Sequence, residues 1–494
     1  MNPSPRRILS RSLQLCLVIA AGALAWSCQQ REGPAEAPIA ITYVTVIDAT
    51  GAPAQPDVTV IIARGHIASI SPSPEAKIPQ RANIVDGRGK FLIPGLIDMH
   101  VHLTGAGEPD GSRKFMIPLL IANGITSVRD MGGYLESLLP LRREIEEGQR
   151  LGPRIILAGP YLDGDPPAFQ PSLVVTNEVQ AGEDVRDLIR RGVDFIKVQS
   201  NLSRDDYFAI AAACKAEHIS FVGHVPDRVT AAEASAAGQK SIEHLTGVLR
   251  ACSSDEPRLM REQFSAAAGK EQYVSSTTRQ LDWDAELLRT FSERPASALL
   301  SEFLANGTWQ TPTLVVLRQD AYPGENLANV QDPRMKYVPR RVLERWKENA
   351  GQQASGATQR EYVLRHGLME KSEHVVGEMQ QAGVKILAGT DTAAPFVYPG
   401  FSLHDELALL VDAGLTPMQA LQAATSRASE FMGKSATQGT IEKGKIADLV
   451  LLNADPLADI HNSSRIAAVL VRGKLLDRSA LDALLSSAEQ FAAH

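Results

Sequence analysis

At 494 residues the chain exceeds one ordinary compact domain and suits a large α/β barrel, roughly 250 residues or more, with a smaller companion. An apolar fraction of 44% and a charged fraction of 22% exclude extended disorder, collagen and polytopic membrane proteins. A net charge of −7 with no Lys/Arg run excludes the electrostatic footprint of a nucleic-acid binder.

In chain order, Arg6, Arg7 and Arg11 precede the apolar stretch LQLCLVIAAGALAW. A basic start before an apolar core too short to span a bilayer comfortably predicts a secretory signal over residues 1–27. Cleavage has two readings. Ala23-Leu24-Ala25 would release a soluble protein, whereas Cys28 after Ser27 resembles the lipidated cysteine of a bacterial lipoprotein. Either way the chain is exported, to the periplasm or as an outer-membrane lipoprotein, and any membrane contact runs through a lipid on Cys28. Losing residues 1–27, with three basic residues and no acidic one, moves the net charge from −7 to −10. Residues 28–38 read as a polar tether. Four cysteines (Cys16, Cys28, Cys214 and Cys252) are too few and too scattered for a disulfide scaffold or a thiolate zinc cluster. Export permits a Cys214–Cys252 disulfide, and two buried free thiols fit equally well.

Short β-branched runs separated by Gly, Pro and Asp over 39–90 predict a small antiparallel sheet. From 91 onward strands alternate with helical stretches such as EDVRDLIRRG, the pattern of parallel βα units. Eight strands are predicted: 96–103, 125–132, 154–162, 194–200, 219–225, 241–245, 308–316 and 384–391. Eight such units favour a closed (β/α)8 TIM barrel over 91–432. Charged, helix-like connections at 246–307 and 317–383 suggest caps over its mouth. Strand patterning returns over 433–480 and predicts a discontinuous β-sandwich-like small domain shared with 39–90.

Chemistry gathers at the strand ends. His100 and His102 close the first strand, His224 the fifth, His244 the sixth and Asp391 the eighth, with Lys197 late in the fourth. Parallel-barrel strand ends converge on one mouth, and residues i and i+2 of a strand face the same way. His100 and His102 can therefore grip one ion, and imidazole with carboxylate suits Zn, Mn, Fe or Co. A lone strand-end histidine is usually structural; four independent ones are not explained that way. Lys197 lies in apolar DFIKVQS, where burying its charge is costly. Desolvation lowers an amine's pKa, and the neutral amine can add carbon dioxide to form a carbamate, an anionic two-oxygen ligand. The plainer reading pairs Lys197 with Asp194 or Asp130.

The segments PGLIDMHVH, FIKV, GHV, IEHL and LAGTD resemble, in order, the metal motifs of the amidohydrolase superfamily, in its imidazolonepropionase- and prolidase-like branch. GTIEKGKIADLVLLNADP resembles that family's tail, so the likeness runs from about 39 to 477. The resemblance implies two divalent metal ions, zinc foremost. His100, His102 and Asp391 would hold the first, His224 and His244 the second, and carboxylated Lys197 would bridge them. It implies a hydrolase that uses metal-activated hydroxide on a small molecule carrying an amide, cyclic amide or dipeptide-type bond, with Asp391 as the catalytic proton carrier. A lactone, ester or phosphoester hydrolase on the same site is the alternative, and a mononuclear deaminase a further one that Lys197 disfavours. DGDPPAFQPS after the third strand departs from the Gly/His-rich loop of the prolidase-like members. A homo-oligomer is compatible with all of these readings.

The remaining polar residues receive structural readings. Ser402 is expected to N-cap a helix holding His404. Arg129 and Asp130 read as an ion pair, and Thr390 and Thr392 as fixing the loop around Asp391. Trp309 and Tyr322 are packing residues or mouth lining. His66, His218, His366, His374 and His461 lack strand-end context and read as surface or structural.

Overall fold

A computed structural model describes residues 37–104, 111–268, 277–328, 332–355 and 357–493. The signal segment, Cys28 and most of the tether lie outside the described residues. Among those described, no helix is long and apolar enough to cross a membrane.

The strands are β1 (Ile39–Val46), β2 (Gln55–Ala63), β3 (His66–Pro72), β4 (Asn83–Asp86), β5 (Phe91–Pro94), β6 (Leu96–Val101), β7 (Ile125–Asp130), β8 (Arg154–Leu157), β9 (Tyr161–Asp163), β10 (Ser172–Val174), β11 (Ile196–Val198), β12 (Phe221–Gly223), β13 (Ser241–Glu243), β14 (Trp309–Thr311), β15 (Leu449–Leu452), β16 (Ile466–Val471) and β17 (Lys474–Leu476). Strands from the two chain ends share one sheet in the order β17-β16-β15-β5-β1-β2-β3, with β4 beside β1. Its pairings are mainly antiparallel: Ile39 faces Ile62 across β1 and β2, and Val450 faces Ile93 across β15 and β5. Ile41, Val60, Leu449 and Leu470 bury one face in a core of their own. The β-branched patterning at both termini thus joins in space.

Between these ends the sheets are parallel throughout: β6-β7-β8, and β10-β9-β11-β12-β13-β14. Backbone bonds link the two. Asp194 donates to the Leu157 carbonyl at 2.9 Å; on the far side Gln310 donates to Lys385 at 3.0 Å, Met99 to Ala388 at 3.0 Å and Asp391 to His100 at 2.8 Å. Side chains alternate about these strands. Ile97, Met99, Phe195, Val222, Trp309 and Leu387 meet in one apolar cluster, while Leu96, Val128, Ile196, Ile242 and Ile386 pack outward into the helical layer. The helix Glu178–Arg191 shows why these connections are helical. Asn177 caps it by accepting from the Gln180 amide, Gly192 ends it at φ 90°, and Ala181, Val185 and Leu188 bury one face.

Three strand expectations are corrected. The stretch 154–162 divides at Gly159-Pro160, and β9 joins the other sheet. The stretch 308–316 stops at Thr311, because Pro312 has no amide to donate and Thr313 turns to φ 48°; Leu314–Ala321 is a helix. The stretch 384–391 bonds to its neighbours but forms no continuous ladder, with isolated bridges at Gln310–Ile386 and, just beyond it, Val101–Thr392. Two local features break its ladder. Asp391 sits at φ 61°, and Gly389 passes so close to the first strand that a Cβ there would lie 2.8 Å from the Cβ of His100. The connections 246–307 and 317–383 carry helices, among them Glu293–Asn306, Arg340–Ser355 and Gln359–Ala382. Cys214 and Cys252 are free and buried, and burial pushes both thiols up to about 12, so neither is primed to react.

Candidate metal centre

The parallel strands deliver His100, His102, Lys197, His224, His244 and Asp391 to one place. His100 and Lys197 lie in β6 and β11, His102, His224 and His244 lie just beyond the ends of β6, β12 and β13, and Asp391 ends the extended segment 384–391. His102 Nε2 is 3.0 Å from Asp391 Oδ1 and His100 Nε2 is 3.3 Å from the same oxygen. Ring centroids separate His100 from His244 by 4.5 Å and His224 from His244 by 5.0 Å. Ligand atoms of His100, His244 and Asp391 all lie within 4.8 Å of one another. Gly223 makes room for the lysine, because a Cβ there would stand 3.0 Å from Lys197 Cδ and 2.2 Å from the Val198 carbonyl oxygen.

Each imidazole is tied at Nδ1. His100 Nδ1 meets Glu243 Oε2 at 2.9 Å, and His102 Nδ1 meets the Gly132 carbonyl at 3.0 Å and the Tyr161 hydroxyl at 3.1 Å. His224 Nδ1 meets Ser200 Oγ at 2.8 Å, and His244 Nδ1 meets Thr313 Oγ1 at 2.7 Å. This pattern fixes ring orientation and leaves Nε2 free for an ion. His100 Nε2 and Lys197 Nζ are buried without a hydrogen-bond partner among the described residues; the 3.3 Å approach of Asp391 to His100 is not aligned as a hydrogen bond. Buried polar atoms are rarely left so. Four imidazoles, one carboxylate and an amine that can become an anion fit divalent metals, and the donor set is too large for one tetrahedral zinc with an open position.

Burial governs the electrostatics. It drives His100 and His224 well below the ordinary histidine range, with neighbouring cations adding to the effect, and His244 down to about 4. All three are therefore held neutral, as ligands must be. Burial would also lower His102, but Asp391 and Asp130 outweigh it and raise that ring. For Asp391 burial works upward, yet His244, His102 and Lys197 hold the carboxyl below its usual range. Burial pushes Lys197 down to about 8 against the opposing charges of Glu243 and Asp391.

The pairing of Lys197 with Asp194 or Asp130 is corrected. Asp194 accepts from Arg142 and from the Leu157 amide, both at 2.9 Å, and Asp130 accepts from the Leu103 and Gly132 amides. Arg129 does not pair with Asp130 either. Its guanidinium reaches Glu243 at 2.9 and 3.0 Å, Ser241 at 3.0 Å and Thr311 at 3.1 Å, wholly buried. Ser402 is not an N-cap: Gly400 occupies that position, while the Ser402 hydroxyl accepts from the Tyr398 amide at 2.8 Å inside the helix Phe401–Asp412. His404 is structural as expected, between Ser463 at 2.9 Å and the Asn123 carbonyl at 3.1 Å. Thr390 holds Asp98 at 2.7 Å and Thr392 donates its amide to Thr390 at 3.2 Å, which fixes the loop around Asp391. Trp309 packs on Phe431 and Tyr322 stacks on His366.

Sequence reasoning missed the tethers Glu243, Ser200, Thr313 and Tyr161, and the buried Asp98. Glu243 is the most consequential, since it bridges Arg129 to His100. Breaking a buried pair strands its partner's charge, so Arg129→Met should cost about 3–5 kcal/mol of stability. The double variant Arg129→Met/Glu243→Leu should recover most of that loss yet hold metal about 10–100-fold more weakly. Chemical denaturation and metal titration read the two effects; a double variant with no recovered stability, or with full metal affinity, would contradict the assignment.

Comparison with known proteins identifies the family. A family model described as the amidohydrolase family matches residues 91–476. Imidazolonepropionase of Vibrio cholerae serotype O1 is 25% identical over 436 residues, which cover 84% of this chain and 92% of that one. Imidazolonepropionase of Idiomarina loihiensis is 34% identical over 104 residues, 21% of this chain and 25% of that one. Among solved structures, a bottromycin amidohydrolase aligns with TM-score 0.72 and 25% identity over 92% of this chain and 90% of its own. An Xaa-Pro dipeptidase aligns with TM-score 0.63 and 19% identity over 89% of this chain and 100% of its own, a likeness of fold.

Proposed function

The chain belongs to the amidohydrolase family and is an enzyme of that hydrolytic type, and from this premise we propose that it cleaves a carbon–nitrogen bond of a small molecule at a two-metal centre held by His100, His102, Lys197, His224, His244 and Asp391. The bond is an amide, cyclic amide or dipeptide-type linkage. One observation carries the reading: four imidazoles tied at Nδ1 face a buried lysine nitrogen that has no hydrogen-bond partner among the described residues. The names of the related imidazolonepropionases and the bottromycin amidohydrolase support the choice of bond.

His100, His102 and Asp391 would hold one ion and His224 and His244 the other, with Lys197 between them as a carbamate. In forming it, the neutral amine attacks carbon dioxide, a nitrogen–carbon bond forms and one proton leaves to solvent. Divalent ions in this donor set, zinc foremost, would polarise the substrate carbonyl and activate water for attack. Asp391 would take the proton from the attacking water and pass it to the leaving nitrogen, which departs poorly as an anion. Its side chain keeps 21% of its surface open where His100 keeps 1%, so it can exchange protons with substrate and solvent. Glu243, Ser200, Thr313, Gly132 and Tyr161 hold the rings in place and move no proton in the reaction.

The same reading extends to the scaffold. The backbone links from Leu157 to Asp194, and from Gln310 through 385–391 to β6, support closure of the parallel segments as a (β/α)8 barrel over 91–432. The shared terminal sheet with its own core supports a discontinuous small domain over 39–90 and 433–480. The basic and apolar start of the sequence supports export, to the periplasm or as a lipoprotein anchored at Cys28. A hydrolysis screen of dipeptides, N-acyl-amino acids and lactones on metal-loaded protein tests the chemistry. Turnover confined to the carbon–nitrogen substrates is expected, and turnover confined to lactones would overturn it.

A further inference from the structure

A cavity of about 400 Å³ lies between the end of the helix Leu314–Ala321, the helix Arg340–Ser355 and the segment that follows Asp391. It falls within the size range of small-ligand pockets. Its lining residues include Asp320, Gln319, Asn349, Gln352, Gln353 and Phe396; among the described residues no Lys or Arg contributes to it. Thr313, which holds His244 Nδ1 at 2.7 Å, begins the helix on which Asp320 lies. Seven residues at 1.5 Å per residue put Asp320 roughly 10 Å from that contact. Phe396 approaches from the other wall. It follows Asp391 by five residues, and its ring centroid lies 5.6 Å from that of Trp346.

The cavity's charge is one-sided. Asp320 is an exposed residue of the lining; partial enclosure of its carboxyl, with the charge of Asp391 adding to it, pushes it up to about 6 against the opposing pull of Arg365. Arg365 gives its guanidinium to Glu361 at 2.5 Å and to the backbone carbonyl of Asp320 at 3.3 Å. Arg318 turns to Glu325 at 3.3 Å and lies over Tyr322.

We propose that this cavity is a subsite for a cationic group, an ammonium or guanidinium, carried by the substrate roughly 10 Å from the contact between Thr313 and His244. The carboxylate supplies a charge-assisted acceptor, the amides supply further acceptors, and the ring of Phe396 suits a cation's face. A carboxylate-bearing group would meet Asp320, and no Lys or Arg among the described residues lines the cavity to receive it. The fate of the bound molecule rests on the hydrolase reading above; the binding does not.

The test is calorimetric binding of butylguanidinium and its neutral isostere butylurea to the metal-replete full chain. Butylguanidinium should bind about 10–100-fold more tightly, the usual worth of a hydrogen bond to a charged group. Asp320→Asn should abolish that preference with metal content unchanged, and Gln353→Glu, which adds a second carboxylate to the cavity, should enlarge it. Equal binding of the two probes, or a preference that survives Asp320→Asn, overturns the proposal. Should Asp320→Asn fail to fold, Gln353→Glu decides alone, and an unchanged preference in it counts against the subsite. Discrimination between the probes in a protein that hydrolyses no amide would leave the subsite standing and defeat the hydrolase reading instead.

Discussion

Lys197→Ala should lower amide turnover by about 10³-fold or more and cost the chain one of the two metals proposed for it. A metal site supplies several kcal/mol of transition-state stabilisation, and about 4 kcal/mol corresponds to 10³ in rate. The expectation rests on where the nitrogen lies. Lys197 Nζ is buried without a hydrogen-bond partner among the described residues, while Asp194 and Asp130 are engaged elsewhere. A purely structural lysine would not be left in that state. Lys197→Met, which keeps the apolar bulk of the stem, separates chemistry from packing: it should fold with near wild-type stability and still lack the metal. A short carboxylic acid added to Lys197→Ala should restore part of the activity by standing in for the carbamate. Wild-type metal content and turnover in either variant would refute the bridging role.

Asp391→Asn should slow amide hydrolysis by about 10²–10⁴, the usual worth of general acid–base catalysis, while much of the metal stays bound. The substitution keeps an oxygen near His102 and His100, now 3.0 and 3.3 Å from Asp391 Oδ1, but removes the charge and the capacity to accept a proton. The loss should be larger on an amide than on a matched activated ester, because only the poor leaving group needs a proton delivered. Equal losses would reduce Asp391 to a ligand.

The candidate ligands were legible because a parallel strand's end is both a position in the sequence and a position in space. His100, His102, His224, His244 and Asp391 needed only the βα alternation to be brought together, and Lys197 only its apolar setting. The tethers behind them were not legible in the same way. Neighbours on a strand point apart, so Glu243 and His244 should have faced opposite sides; His244 leaves the strand at φ 56°, and both turn to the site. The same rule, applied to Arg129 and Asp130, would have ruled out their pairing in advance. The eighth segment failed as a strand because its work is done by backbone approach, through Gly389, and by the left-handed turn at Asp391. Specificity was hidden for a different reason. Gln319, Asp320 and Asn349 meet across separate helices of a long connection, and no local pattern announces such a meeting.

Six side chains holding two metals would make zinc stoichiometry the deciding quantity for the proposed carbon–nitrogen hydrolysis. Metal-free protein can be titrated with zinc in bicarbonate buffer while hydrolysis of a responsive amide is followed at each addition. Activity should rise from near zero and break at two equivalents per chain. A break at one equivalent, or amide hydrolysis that persists without metal, would contradict it.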